Sequence, residues 1–358
     1  MRREQTFTPE QEALFWAIQV DGDMHPHLRD FLHNVVDWGN LRRMAVKHGI
    51  LPLVYRRLKA LEQNPAPAAE MAEFRNLYLA NAGANLAKEL KLLKLLDLLS
   101  DNGIEAAVFK GPVLALQAYG DPSHRQYNDL DILIRRRDFR AAYSRLTAAG
   151  YAPQFPIDDK RENWLIRSNI ELKFVGQDNV PVELHWEICE RSGYFGIGTD
   201  AVWENLDTVN LHGSRIRVPA PEDTLIMLWL HGFRHHWDNL KLVADLIRMS
   251  GVCRQRGRRE IDTACGKLPA AYQYRFMRDI LNPRLLAHSV FFPRSYQKTR
   301  DRFSDMAAEV FTPKPTDWLA VDLPDILYPL YYLIRPLRLV LKYCGMALLT
   351  AGKRRILP

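Results

Sequence analysis

The sequence predicts a mixed chain in which an α/β or α+β unit lies between two helical regions. Three observations carry this expectation. Apolar residues recur at three- and four-residue steps through most of residues 8–100. Short alternating or fully apolar runs, bounded by turn residues, follow from Ile104 to Val218. Helical periodicity returns after Pro221.

Each element has a local cause. Thr8-Pro9-Glu10 sets a capping hydroxyl before a first-turn proline and opens a helix. A second amphipathic stretch runs from Trp38 to Leu61, interrupted at Gly49–Pro52. Asn64-Pro65-Ala66-Pro67 breaks the chain, because a residue before proline is pushed out of the helical region. A long helix is expected from Ala68 to Ser100, with Leu86, Leu90, Leu93 and Leu96 on its apolar side against Lys88, Lys91 and Lys94. Asp101-Asn102-Gly103 ends it. Strands are expected at Ile104–Phe109, Asp129–Ile134, Ile170–Val175, Val180–Ile188 and Ser214–Val218, and helices at Pro112–Tyr119 and Asp138–Ala149. Glu222–Ser250 reads as helical, shorter helices follow to Val290, and Phe291–Asp317 reads as irregular. The expected division is 1–103, 104–220, 221–290 and 291–358.

The tail Leu323–Leu349 is apolar, yet Pro324, Pro329, Pro336, Arg335, Arg338 and Lys342 leave no uninterrupted span of roughly 20 apolar residues for crossing a bilayer. Arg335, Arg338 and Lys342 share one helical face, opposite Leu337, Val340 and Leu341. The expected arrangement is a helix packed on its own domain with a basic outer face. Peripheral contact with an anionic membrane, at its inner face, is the alternative.

Of the 358 residues 47% are hydrophobic and 25% charged, an ordinary globular balance. The formal charge of +7 points to an anionic partner: a nucleoside triphosphate, a nucleic acid or an acidic lipid surface. The basic runs Arg135-Arg136-Arg137 and Arg254-Gln255-Arg256-Gly257-Arg258-Arg259 lack interleaved aromatics, so they read as solvated surface and no nucleic-acid partner is expected. Cys189, Cys253, Cys265 and Cys344 have neither metal-site nor redox-pair spacing, which suits a reducing compartment. The N-terminus leads to no apolar signal core, and a cytoplasmic protein is expected.

Asp129-Leu130-Asp131 is the most informative short stretch. On a strand the two carboxylates face the same way, while Leu130, Ile132 and Ile134 face the other. Two like charges a strand step apart suit a wet rim or a divalent cation, and magnesium takes oxygen ligands from carboxylates and substrate phosphates. Phe109-Lys110-Gly111-Pro112 stands at a strand-to-helix junction, where glycine admits an anion, the helix start offers free N–H groups and lysine adds charge. In Val182-Glu183-Leu184-His185-Trp186, Glu183 and His185 share a strand face with Glu187. A third carboxylate supplied by a neighbouring strand would complete a cluster able to hold two magnesium ions about 4 Å apart. His231, His235 and His236, with Asp238 and Asp245, invite a zinc reading. That motif lacks the glutamate after the first histidine, and the expectation is that these residues pack helices against the sheet.

Taken together, Phe109-Lys110-Gly111-Pro112, Tyr119-Gly120-Asp121-Pro122, Arg125, Asn128–Ile134 and Val182–Trp186 resemble the uncharacterised nucleotidyltransferase family of the polymerase-beta-like nucleotidyltransferase superfamily. His48–Tyr55, His231–His235, Trp237–Leu240 and Asp245-Leu246 extend the resemblance over roughly residues 40–250. It implies an α+β fold, a small mixed sheet flanked by N- and C-terminal helical regions. It further implies Asp129 and Asp131 as metal ligands, with Glu183 as the third carboxylate. Lys110, Gly111, Arg125 and His185 are expected around the nucleotide, with His185 either orienting its neighbours or accepting a proton. Two features depart from the superfamily. The usual Gly-Ser phosphate-binding pair is replaced by Lys110-Gly111-Pro112, and the third acid is glutamate instead of aspartate.

The expected activity is magnesium-dependent transfer of a nucleoside monophosphate from a triphosphate such as ATP to an acceptor, with release of pyrophosphate. The acceptor could be a small molecule, sugar, peptide or protein. A nucleotide-binding or regulatory protein of the same fold is the alternative, and a helical scaffold at a membrane the third reading.

Overall fold

The computed structural model describes residues 6–20, 30, 32–33, 36–168, 170–188, 198–268, 270–291 and 310–353. Most of the segment expected to be irregular, and the side chains of Cys189 and Cys344, lie outside the described residues. Two compact units emerge. One comprises residues 1–154 and 171–296, the other residues 155–170 and 297–358.

The first unit begins with α1 (Pro9–Ile18), which starts where the capping signal placed it: the Thr8 side chain accepts the Gln11 amide and the Gln11 side chain accepts the Thr8 amide. Helices α2 (Trp38–Lys47) and α3 (Leu51–Lys59) follow, separated at the expected glycine. The long helix α4 spans Ala68–Ser100 as expected. Its buried face is a correction, however. Leu86 and Leu90 are exposed, whereas Asn85, Glu89, Lys91, Leu92, Leu95 and Leu99 are buried. Leucines surround so much of this helix that periodicity alone did not choose a side, and polar side chains with specific partners claimed the inner one. Asn85 donates to the carbonyls of Pro122 and Arg125, Tyr127 donates to Glu89, and Lys91 reaches Asp178 and the Val180 carbonyl.

The sheet then forms from β1 (Ala106–Val108), β2 (Leu130–Ile134), β3 (Ala152–Pro153), β4 (Glu171–Val175) and β5 (Pro181–His185), in the order β1-β2-β5-β4-β3. Only β2 and β5 run parallel; the other pairs are antiparallel. Between β1 and β2 lies α5 (Gly111–Tyr119), and after β2 comes α6 (Phe139–Ala148). Every residue of β2 is buried, as a central strand requires. In the second unit, α7 (Asp159–Ser168) occupies the insertion between β3 and β4. A short helix α8 (Thr199–Glu204) precedes a separate hairpin, β6 (Leu206–Leu211) and β7 (Ser214–Pro219). Its first strand alternates weakly between inside and outside, which is why the sequence pattern did not mark it.

Helices α9 (Pro221–Arg234), α10 (Leu240–Arg256), α11 (Arg258–Gly266), α12 (Ala270–Leu281) and α13 (Pro283–Phe291) complete the first unit. The stretch expected to be continuous from Glu222 to Ser250 breaks at His235–Asn239, where His236 and Trp237 take left-handed backbone. These helices and α1–α3 bury one shared apolar core, into which Leu114 and Tyr119 of α5 also pack. The sheet is thereby fixed to the helices through α5.

The second unit contains α7, α14 (Pro315–Ala320) and α15 (Tyr331–Lys353), joined by Trp164 against Trp318 and Tyr331. Here the expected basic outer face is overturned. Arg335 is 5% exposed and bonded to Asp317, and Arg338 also bonds Asp317. Asp317 provides a buried counter-charge that draws the basic face inward. Leu333, Leu337, Val340 and Leu341 are left exposed.

Candidate active site

The parallel pairing of β2 with β5 sets the site. In that register Asp131 lies directly across from Glu183, and Leu133 across from His185. Antiparallel β4 then places Lys173 opposite Glu183 and Glu171 opposite His185. Side chains of alternate residues on three adjacent strands therefore converge on one sheet face.

The charges interlock. Lys110 Nζ lies 3.1 Å from Asp131 Oδ1, and His185 Nε2 approaches the same oxygen at 3.2 Å. The other imidazole nitrogen, Nδ1, is 3.4 Å from Glu171 Oε2. Neither imidazole contact is aligned as a good hydrogen bond, so both act chiefly as electrostatic contacts. Lys173 Nζ lies 2.8 Å from Glu183 Oε1, with His185 Nε2 3.8 Å from Glu183 Oε2. Phe109 closes edge-on against the imidazole at 4.8 Å between centroids.

Burial opposes ionisation of Asp131, but Lys110 and then His185 outweigh it and hold its carboxyl far below the usual range. Burial likewise raises Glu183, while His185 and Lys173 bring it down to about 2 against the opposing charge of Asp131. Asp129 behaves differently. Burial and then the charges of Asp131 and Glu183 push its pKa up, and Lys110 and Lys241 offset only part of this. Three carboxylates thus repel one another, and Lys110, Lys173, Lys241 and His185 partly offset their charge. For His185, burial works against the charged form, but Asp131 and Glu183, with Glu171, raise its pKa above the ordinary value.

Asp131, Glu183 and His185 offer ligand atoms that all lie within 4.8 Å of one another. Two carboxylates with an imidazole form a donor set that fits a divalent cation, and the carboxylates alone fit the oxygen preference of magnesium. Among the described residues no such group includes His231 or His235, whose rings contact each other at 4.5 Å. Burial and the charge of Lys110 hold His231 neutral, well below its ordinary pKa. Asp129 stands one residue before β2, half-buried and outside the tightest ligand group.

The rim is built by α5 and the loop before β2. Lys110 precedes α5, and Gly111 has φ +56°, where a Cβ would press the Asp129 carbonyl at 3.3 Å. Glycine is required there on both grounds. Arg125 is buried, and its guanidinium grips Asp245 of α10 through two 2.8 Å bonds, to which Tyr119 adds a 2.6 Å bond. Asp245 thus occupies the two nitrogens of Arg125 that bond it and holds the loop leading to Asp129.

Sequence reasoning missed Glu171, Lys173 and Lys241. The first two carried a usable signal, alternating polar positions inside an expected strand. Lys241 carried none. It is the second residue of α10, and its stem lies 3.3 Å from where a Cβ on Gly49 would sit. Burial and the neighbouring Arg125 lower its pKa, while Asp245 and Asp129 raise it.

Residues 34–268 match the family described as uncharacterised nucleotidyltransferase. No curated protein matches. Among solved structures, the antibiotic-resistance factor ANT(2'')-Ia is similar at 10% identity and a TM-score of 0.38, covering 54% of this chain and 95% of that one. An antigenic nucleotidyltransferase-like protein from Paracoccidioides brasiliensis is similar at 15% identity and a TM-score of 0.31, covering 54% of this chain and 91% of that one.

Proposed function

The chain belongs to the uncharacterised nucleotidyltransferase family, and from that membership we propose that it transfers a nucleoside monophosphate from a nucleoside triphosphate to an acceptor. The observation that carries the proposal is the register of β2 on β5, which sets Asp131 beside Glu183, with Asp129 electrostatically joined to both. The acceptor oxygen or nitrogen attacks the α-phosphorus in line. The bond to the β-phosphate oxygen breaks and pyrophosphate leaves. Glu183 takes the acceptor proton. Asp129, Asp131 and Glu183 would hold magnesium, two ions in this reading, which when bound neutralises phosphate charge and activates the acceptor.

The protein's own groups are suited to that chemistry. Lys110 and Lys173 pair with carboxylate oxygens that magnesium would take, and Lys110, beside Gly111, would then exchange Asp131 for a phosphate oxygen. Lys241 adds positive potential at Asp129. His185 orients Asp131 and Glu183, and Arg125 positions the approach to Asp129 from its pairing with Asp245. ATP is the triphosphate to test first, in a cytoplasmic setting.

Asp131→Asn is expected to lower magnesium-dependent pyrophosphate release by at least about a hundredfold, the scale seen when a preorganised charge-stabilising group is lost. Undiminished turnover overturns the proposal. A second reading, a nucleotide-binding regulator, is favoured by one observation: Pro112 removes a donor from the first turn where the superfamily carries serine. Tight ATP binding by calorimetry with no pyrophosphate released across acceptor classes would select it.

A further inference from the structure

The last helix carries an apolar face directed away from its own unit. Leu333, Leu337 and Leu341 are 62%, 64% and 72% exposed, and Val340 joins them at the i, i+4, i+7, i+8 spacing of one helical stripe. Ile326 and Leu330 are also exposed in the preceding 3-10 turn. Isolated exposed leucines are ordinary, but an aligned run of this kind marks an interaction surface. The opposite face is already satisfied, with Arg335 and Arg338 bonded to Asp317 and Tyr331 buried.

Charge identifies the occupant. Arg335 and Arg338 are taken up by Asp317, but from Ile326 to Pro358 the chain contains no aspartate or glutamate to balance the remaining cations, Lys342, Lys353, Arg354 and Arg355. A second copy of the same helix would bring Lys342 and the basic Lys353-Arg354-Arg355 run against their own like with no acid in the segment to offset them. No described helix is long and apolar enough to cross a membrane. An apolar stripe combined with one-signed basic charge suits an in-plane position at an anionic bilayer, leucines in the acyl boundary and cations at the headgroups.

We propose that α15 docks the protein on an anionic membrane surface through Leu333, Leu337, Val340 and Leu341, independently of the nucleotidyl-transfer reading. The 23 residues of α15 would lie along about 34 Å of the interface.

Co-sedimentation of the full-length protein with vesicles tests this. Binding is expected to vesicles containing phosphatidylglycerol, to be weaker to phosphatidylcholine alone, and to fall as salt is raised. Leu333→Asp with Leu337→Asp is expected to lower partition at least about tenfold for each leucine withdrawn from the acyl boundary. Lys342→Gln is expected to lower it about fivefold. Unchanged circular dichroism and melting of the double variant establish that the fold survives. Equal binding to both vesicle types, absence of binding to either, or undiminished binding by the double variant overturns the proposal. So does a concentration-dependent dimer that the double variant abolishes, since that would assign the face to a second copy.

Discussion

At the scale of single residues, the site depends on charges that are tolerable only in company. Asp245 is buried and neutralised by Arg125, so removing it strands a buried guanidinium. Breaking such a pair costs about 3–5 kcal/mol, whereas replacing both partners with apolar side chains is often neutral. Asp245→Ala is therefore expected to lose about that much stability in urea denaturation, and Arg125→Met with Asp245→Leu to recover part of it, the buried Tyr119 hydroxyl being left without its acceptor. The recovered double variant should still transfer nucleotide poorly, because the loop before Asp129 has lost its tether. That Glu183 and His185 share one face of their strand was legible in the sequence, because two-residue alternation on a strand is a local rule. That Lys110 and Lys173 would sit on the carboxylates of Asp131 and Glu183 was not, since it depends on the order of strands in the sheet.

At the scale of elements, the break between α9 and α10 explains several motif residues. His236 and Trp237 adopt φ +53°, the Trp237 amide returns to the Gly232 carbonyl at 2.9 Å, and the indole folds back over Gly232. A Cβ on Gly232 would lie 2.3 Å from that buried ring. Asn239 then caps α10 by accepting the Leu242 amide. Gly232→Ala should therefore force the indole out of place, destabilising the protein by about 3 kcal/mol, the upper range for overpacking. A lowered urea midpoint with unchanged m-value is the expected reading; a midpoint equal to wild type would show that the turn repacks freely. The sequence suggested continuous helix here because helix periodicity on both sides hides a turn whose cause is a ring packing on a glycine.

For the whole molecule, the shared helical core makes acid stability a global property. His48 sits in it, with Nδ1 buried and unbonded, its ring edge-on to Phe291, and its carbonyl accepting the Lys241 amide. Burial first, then Lys47, lowers its pKa to about 4, against a small opposing effect from Asp238. The unfolded chain binds this proton near pH 6.5, so stability contributed by the neutral ring is complete above that pH and lost as pH falls towards 4. The difference amounts to about 3 kcal/mol. His48→Phe should flatten that part of the stability curve, and an unchanged slope between pH 6.5 and 4 would show that other groups control it.

The sequence by itself determined the capped start of α1, the long α4, the strands that carry Asp131 and Glu183 and the family to which the chain belongs, because caps, prolines and periodicity act within a few residues. The tertiary structure decided which faces turned inward. On α4 it buried lysine and glutamate in place of two leucines, and on α15 it buried arginine and exposed leucine. Helix periodicity separates two faces but does not say which one finds a partner. A distant counter-charge or carbonyl, such as Asp317 or the backbone of the loop before β2, makes that choice.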